Sequence, residues 1–189
     1  MGQYKRRRAA AATAWESVAD WYAGWVGEQG SEHHCRLAIP AVLKLLVPGP
    51  GEQILDLGAG TGVLAPAIAA ASAAYTGVDA SPRLLGYARR RHGACGRFLL
   101  GDAARLHTLP ALSAGSFDGV VFLLSIQDMD PLDHVFASTA WSLRRGGRVV
   151  LLITHPCFRV PRRVAGAGMK HESFATGASI VTSRHSQCR

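Results

Sequence analysis

The residues best suited to chemistry gather first in Ile54-Leu-Asp-Leu-Gly-Ala-Gly-Thr-Gly62. An apolar run carrying one aspartate meets three glycines spaced two apart, and a small-residue helical pattern begins at once. Glycine lets the chain turn sharply and lets a ligand approach the backbone. The helix N-terminus behind it offers unpaired N–H groups and positive potential. Such a turn suits a nucleotide or nucleotide-like ligand at the carboxyl end of a strand. Spacing narrows the choice. A dinucleotide fingerprint, Gly-x-Gly-x-x-Gly, needs a glycine at position 63, where Val63 stands, and no Lys-Ser/Thr pair follows to make a triphosphate loop.

Other chemistry-bearing residues are more scattered. Asp79 and Asp102 each close a later strand-like run, where a carboxylate can accept from a ligand or cap the helix that follows. In Thr154-His-Pro-Cys-Phe158, His155 could serve as a general base near neutral pH, and Cys157 could act as a nucleophile. Packing at a strand end is the plainer reading of both. His33 and His34 are adjacent, so they cannot share a helix face as metal ligands spaced by four would. The four cysteines, Cys35, Cys95, Cys157 and Cys188, form no Cys-x-x-Cys pair. That excludes a spaced zinc site and a disulfide framework, and no metal is expected. Reduced, mostly buried thiols in a cytoplasmic protein are expected instead.

The elements that must position these residues follow from periodicity. Trp15, Val18, Ala19, Tyr22, Trp25 and Val26 recur at helical spacing, predicting a helix from about Thr13 to Val26. A second is predicted from His34 to Leu46, stopped by Pro48-Gly-Pro-Gly51. Strands then alternate with helices. Strands are predicted over Gln53–Leu57, Tyr75–Asp79, Arg97–Leu100, Phe117–Leu123 and Arg148–Thr154. Helices are predicted over Val63–Ala71, Pro82–His92 with Ser81 as N-cap, and Pro131–Arg144. This alternation implies right-handed crossovers and a doubly wound α/β domain with a mostly parallel, Rossmann-like sheet and helices on both faces.

Length and charge bound the partners. A chain of 189 residues fits one domain, and every long apolar stretch is interrupted well before the ~20 residues of a membrane span. Neither a signal-peptide core nor a myristoylation pattern is present at the start. Of the net charge of +8, half comes from Lys5, Arg6, Arg7 and Arg8 and half from the residues after 161, so the stretch between is neutral. A phosphate-binding groove needs cations clustered on the folded body. No nucleic-acid and no membrane partner is therefore expected. The reading divides the chain into a basic arm (1–12), leading helices (13–50), a ligand-binding core (51–161) and a tail (162–189).

Gly-x-Gly-x-Gly after Asp56 resembles motif I of class I S-adenosylmethionine-dependent methyltransferases. The resemblance continues through Gly77-Val-Asp-Ala-Ser81, Gly101-Asp-Ala103, Phe117-Asp-Gly-Val-Val121 and Leu143-Arg-Arg-Gly-Gly-Arg-Val-Val150. It implies strand order 3-2-1-4-5, S-adenosyl-L-methionine as cofactor, and methyl transfer to a small-molecule acceptor. Residue by residue, it places Gly58, Ala59, Gly60 and Gly62 at the amino-acid end of the cofactor, with Asp56 anchoring the loop and the ammonium. Asp79, followed by Ala80, would take the ribose hydroxyls. Asp102 and the Ala103 N–H would meet the adenine. Leu124 and Ser125 would pass beneath the sulfonium, and Tyr22 would meet the cofactor carboxylate from a leading lid helix. Packing bulk is the competing account of Trp15, Trp21, Tyr22 and Trp25. Leu124-Ser-Ile-Gln-Asp128 lacks the Asn/Asp-Pro-Pro-Tyr/Phe pattern of enzymes that methylate base amines. A nicotinamide oxidoreductase and a non-catalytic cofactor-binding remnant remain as alternatives.

The tail departs from this family. No helix or strand pair is evident after Arg162, which predicts that its C-terminal strands are missing and that the edge of the fifth strand is unpaired. Weak or absent activity would follow. The codons of Val164 to Met169, read from the third base of the valine, can spell Gly-Trp-Gly-Trp-Asp. In the same frame Ala178-Ser-Ile-Val-Thr-Ser-Arg184 can spell Arg-Val-Asp-Arg-Tyr-Leu-Thr. A frameshift near Arg162 or Arg163 is one reading of the tail, and the wobble bases of the gene test it.

Overall fold

A computed structural model describes residues 13–154 and, as backbone, the strand at 178–184. The leading helix α1 spans Ala14–Val26 and buries Ala19, Ala23 and Val26. One π-helical turn, His34–Ala38, runs directly into α2, Ile39–Leu46. The alternating core follows as β1 (Gln53–Leu57), α3 (Ala65–Ala70), β2 (Ala74–Asp79), α4 (Pro82–His92), β3 (Arg97–Leu100), β4 (Phe117–Leu123), α5 (Leu132–Ser142) and β5 (Leu143–Thr154). β1 to β5 pair in parallel in the order β3-β2-β1-β4-β5. This is the doubly wound order that the sequence implied.

The strands are apolar along most of their length because both faces are covered. One face packs Ile54, Tyr75, Phe98, Val121 and Leu152 against residues of α2, α3 and α4, among them Leu46, Ile68 and Leu85. The other packs Leu55, Leu57, Val120 and Phe122 against Leu106 and Val135. Local signals set the helix ends. Ser81 accepts a hydrogen bond from the Leu84 N–H at 3.2 Å, and Pro82 occupies the first turn, where its missing N–H is no loss.

Three expectations need correction. β5 begins at Leu143 rather than Arg148, because the register with β4 shifts between Phe117 and Gly119 and lets the preceding segment join the strand. The thiols are not mostly buried: Cys35 is exposed and Cys95 half-buried, both free, while Cys157 and Cys188 lie outside the described residues. The tail does contribute a strand. β6, Ala178–Arg184, pairs antiparallel with β5, so the sheet has six strands and the edge of β5 is covered there. Ile180, Val181 and Thr182 are β-branched and suit an extended chain, but a polar tail without clean alternation hides that preference. His155 and the rest of 155–177 lie outside the described residues, as do the basic arm and the segment on which most of the shifted-frame reading rests.

Candidate cofactor site at the carboxyl ends of the strands

β1 delivers the glycine loop to the carboxyl edge of the sheet. Gly58, Gly60 and Gly62 all have positive φ, at 74°, 55° and 78°. Their surroundings differ. A Cβ on Gly60 would meet only Tyr22 Cε1, at 3.7 Å, so this backbone is open towards the cleft. A Cβ on Gly62 would lie 2.7 Å from Phe98 Cε1 and 3.2 Å from Ala88 Cβ. Gly62 therefore lets the loop pack on β3 and α4 and does not line the cleft, unlike the role implied by the resemblance. Ala59 is buried against β2, where its Cβ would sit 2.8 Å from one added at Gly77.

Asp79 ties the loop to β2. Its Oδ2 accepts from the Gly60 N–H and its Oδ1 from the Ser81 N–H, each at 2.8 Å. Burial pushes its carboxyl above the usual carboxylate range, and the backbone N–H groups pull it back. Asp79 thus forms a local turn ahead of α4, whose cap is Ser81, and also lines the cleft. Asp102 behaves similarly. Its Oδ1 accepts from the Ala104 N–H at 2.9 Å and caps a short 3₁₀ turn, while its exposed side chain borders the cleft.

Asp56 sits below the cleft rather than in its wall. Its Oδ2 accepts from the Tyr75 hydroxyl at 2.7 Å, and its buried Oδ1 has no protein partner. Burial raises its pKa to about 7.

From the opposite side, α1 lays Tyr22 over the loop. Burial first, then the carboxylates of Asp79, Asp56 and Asp128, raise the Tyr22 pKa to about 12, so the hydroxyl is a standing donor. Trp15 packs edge-on to Tyr22 with centroids 5.1 Å apart. α1 is held there by α4. The Ser81 hydroxyl donates to Glu16 at 2.6 Å, the Tyr87 hydroxyl to Asp20 at 3.0 Å, and Arg91 donates to the carbonyls of Gly27 and Ala23 at the C-terminus of α1. After β4, Leu124 takes a left-handed conformation (φ 57°), a strain of about 1–3 kcal/mol that recurs at functional sites. Ser125 donates to the Leu57 carbonyl, joining β4 to β1.

The result is one cleft of about 1040 Å³ that gathers Tyr22, Gly58, Gly60, Asp79, Ala80, Asp102, Ala103, Leu124 and Ser125 of the residues expected from sequence. It leaves out Asp56, Ala59 and Gly62. It adds residues that sequence reasoning set aside or did not name: Trp15, Trp25, His33, His34 and Met129. His34 is buried, its Nδ1 lies 2.8 Å from the Ser31 hydroxyl, and burial lowers its pKa to about 4, so it is neutral at physiological pH. Trp15 and Trp25 reach it on α1, His33 and His34 through the turn between α1 and α2, and Met129 from the segment after β4, so no single local spacing marks them together. Among the described residues no cluster of metal-ligating side chains is present.

The fit to an adenosyl sulfonium rests on this geometry. The Gly60 backbone, with space for a ligand between it and Tyr22, lies beside the Asp79 carboxylate, which accepts from the N–H groups of Gly60 and Ser81 and whose remaining lone pairs suit ribose hydroxyls. Residues 54–147 match the family model of the methyltransferase domain. A demethylmenaquinone methyltransferase of Tropheryma whipplei is 33% identical over 117 residues, covering 61% of this chain and 48% of the relative. A ubiquinone biosynthesis O-methyltransferase of Aromatoleum aromaticum is 33% identical over 99 residues, covering 52% and 42%. The chain thus spans about half the length of these relatives. Among solved structures, the Haemonchus contortus phosphoethanolamine N-methyltransferase 2 in complex with S-adenosyl-L-methionine superposes with a TM-score of 0.60 at 25% identity, covering 74% of this chain and 34% of that one. The chain belongs to the class I S-adenosylmethionine-dependent methyltransferases. The cofactor of that family is S-adenosyl-L-methionine.

Proposed function

We propose that this chain transfers a methyl group from S-adenosyl-L-methionine to a small, flat, largely apolar acceptor. The observation that carries the reading is the Asp79 carboxylate, bonded to the open Gly60 backbone and facing Tyr22 and Asp102 across one cleft. In this reading Asp79 holds the ribose hydroxyls, Asp102 and the Ala103 N–H read the adenine edge, and Gly58 and Gly60 border the amino-acid end. Tyr22 donates to the carboxylate there. Asp56 acts from beneath, its unpartnered Oδ1 available to an ammonium through water.

The bound cofactor supplies an electrophilic methyl on a cationic sulfur. Displacement from sulfur is in-line, so the protein chiefly aligns the acceptor and excludes water. Trp15, Tyr22 and Trp25 give the cleft an aromatic wall, and Leu124 and Met129 add apolar surface. That wall and the two quinone-named relatives favour a hydroxylated ring of the quinone-precursor kind. His155, which follows β5, is the proposed general base for such a hydroxyl.

Thermal-shift titration with S-adenosylmethionine, S-adenosylhomocysteine and NAD tests the cofactor. Stabilisation by the first two alone is expected, and stabilisation by NAD alone would refute the reading. Methyl transfer to a catechol or hydroquinone tests the acceptor class. Cofactor binding without transfer to any acceptor would leave a binding remnant.

A further inference from the structure

Asp56 and Tyr75 form a polar pair inside the apolar core beneath the glycine loop, each only 2% exposed. β1 and β2 pair with Asp56 opposite Gly77, so Tyr75, two positions before Gly77, lies on the same face of the sheet. Glycine gives its ring room. A Cβ on Gly77 would lie 3.0 Å from the Tyr75 hydroxyl, and one on Gly96 would lie 2.8 Å from its Cδ1. Phe98 packs on the ring with centroids 5.5 Å apart. Held there, the hydroxyl donates to Asp56 Oδ2 at 2.7 Å. Burial first, then the Asp56 charge, keep this phenol well above its usual range, so it stays a donor through neutral pH.

The other oxygen of Asp56, Oδ1, is buried without a partner. The groups that act on this carboxyl are the Tyr75 hydroxyl and the Asp79 carboxylate of β2, and across the loop it acts on the Tyr22 hydroxyl of α1. None of these three is a cation. One neutral donor for two oxygens, with a like charge nearby, leaves a carboxylate poorly solvated, so the fold holds it as the acid. Burial raises its pKa to about 7 against the opposing pull of Tyr75. The charged form would still be felt in the cleft, since it acts on the Tyr22 hydroxyl, whose ring overlies Gly60. A cation seated between Tyr22 and Gly60 would supply the missing counter-charge.

We infer that Tyr75 is a positioning residue: it commits one oxygen of Asp56 and leaves the other to exchange a proton, so the cofactor's amino group displaces that proton on binding. Because Oδ2 accepts from Tyr75, the proton of the acid sits on Oδ1. It leaves for solvent, the carboxylate stays behind, and the ammonium enters with its charge unchanged. No covalent bond of the ligand is altered. The inference rests on the S-adenosyl ligand proposed above and concerns its uptake, not the methyl step. Without the Tyr75 hydroxyl neither oxygen would have a donor, the acid would be held more firmly, and the exchange would require a higher pH.

Calorimetry of the full chain at pH 6, in buffers of different ionisation enthalpy, counts the protons released by S-adenosylhomocysteine and by adenosine, which lacks the amino group. The Asp79 carboxyl is also raised and faces both ligands, so the difference between them isolates the amino group. S-adenosylhomocysteine should release roughly 0.9 proton more, the fraction protonated at pH 6 for a group titrating at about 7. Its affinity should fall about tenfold per pH unit below 7. Asp56→Asn should abolish the difference. Tyr75→Phe keeps the ring on Phe98 and should move the fall in affinity to higher pH, whereas lost packing alone would weaken binding equally at every pH. Equal release by the two ligands, a difference that survives Asp56→Asn, or an unmoved profile in Tyr75→Phe would overturn the inference. Tight binding with equal release would leave the cofactor assignment standing, and binding of neither ligand at any pH would overturn both.

Discussion

Replacing Asp56 by Asn isolates a buried carboxyl whose neutral form the fold prefers. One oxygen accepts from Tyr75, the other has no protein partner, and burial raises the pKa from 3.8 to about 7. That displacement corresponds to roughly 4 kcal/mol of preference for the neutral acid. With the folded pKa above the unfolded one, the associated stability is fully present below about pH 4 and is lost as pH rises through about 7. In Asp56→Asn the amide oxygen still accepts from Tyr75, and nothing at this position titrates. Asp79 titrates in both proteins and largely cancels in the difference. The stability of Asp56→Asn relative to wild type should therefore climb by roughly 4 kcal/mol between pH 4 and pH 8, about 8–16 °C in Tm for a domain of this size. Urea unfolding at intervals across that range, without cofactor, measures it. A difference that stays flat with pH would refute the reasoning, since it would mean that the carboxyl is hydrated or charged in the folded state.

Three further outcomes follow from the site. Asp79→Asn should weaken S-adenosylhomocysteine binding by ten- to a hundredfold in calorimetry, because the amide has one accepting oxygen where the carboxylate has two; undiminished affinity would remove the ribose role. Tyr22→Phe should lower affinity about three- to tenfold with little change in Tm, since the ring still packs on Trp15. Gly62→Ala combines positive φ with a 2.7 Å approach to Phe98 and should destabilise the fold by about 2–4 kcal/mol in chemical unfolding. An unchanged midpoint would show that the loop yields freely.

Much of the core is legible locally. The bounds of β1, β3, β4 and α4 agree with the apolar runs and with the Ser81 cap, because each of those signals lies within a few residues of the element it sets. The glycine loop was equally readable as a ligand turn, yet the sequence could not divide its glycines by task. Gly60 is open and Gly62 is packed, and only the position of Phe98, 36 residues onward, separates them. His33 and His34 were set aside because adjacency argues against a shared helix face. They reach the cleft because a π-helical turn and Trp25 place them there. The sixth strand was missed because its pairing with β5 is tertiary and its own pattern is weak.

Because Asp79 holds the Gly60 amide, the loop and the carboxylate at the tip of β2 are joined by a direct bond. A sugar that drew on Asp79 would set the angle of the backbone offered to an amino acid, and the reverse would hold equally. Adenosine and free methionine, supplied as separate fragments, should each tighten the hold on the other, as linkage requires, and titrating one at saturation of its companion measures that reciprocity.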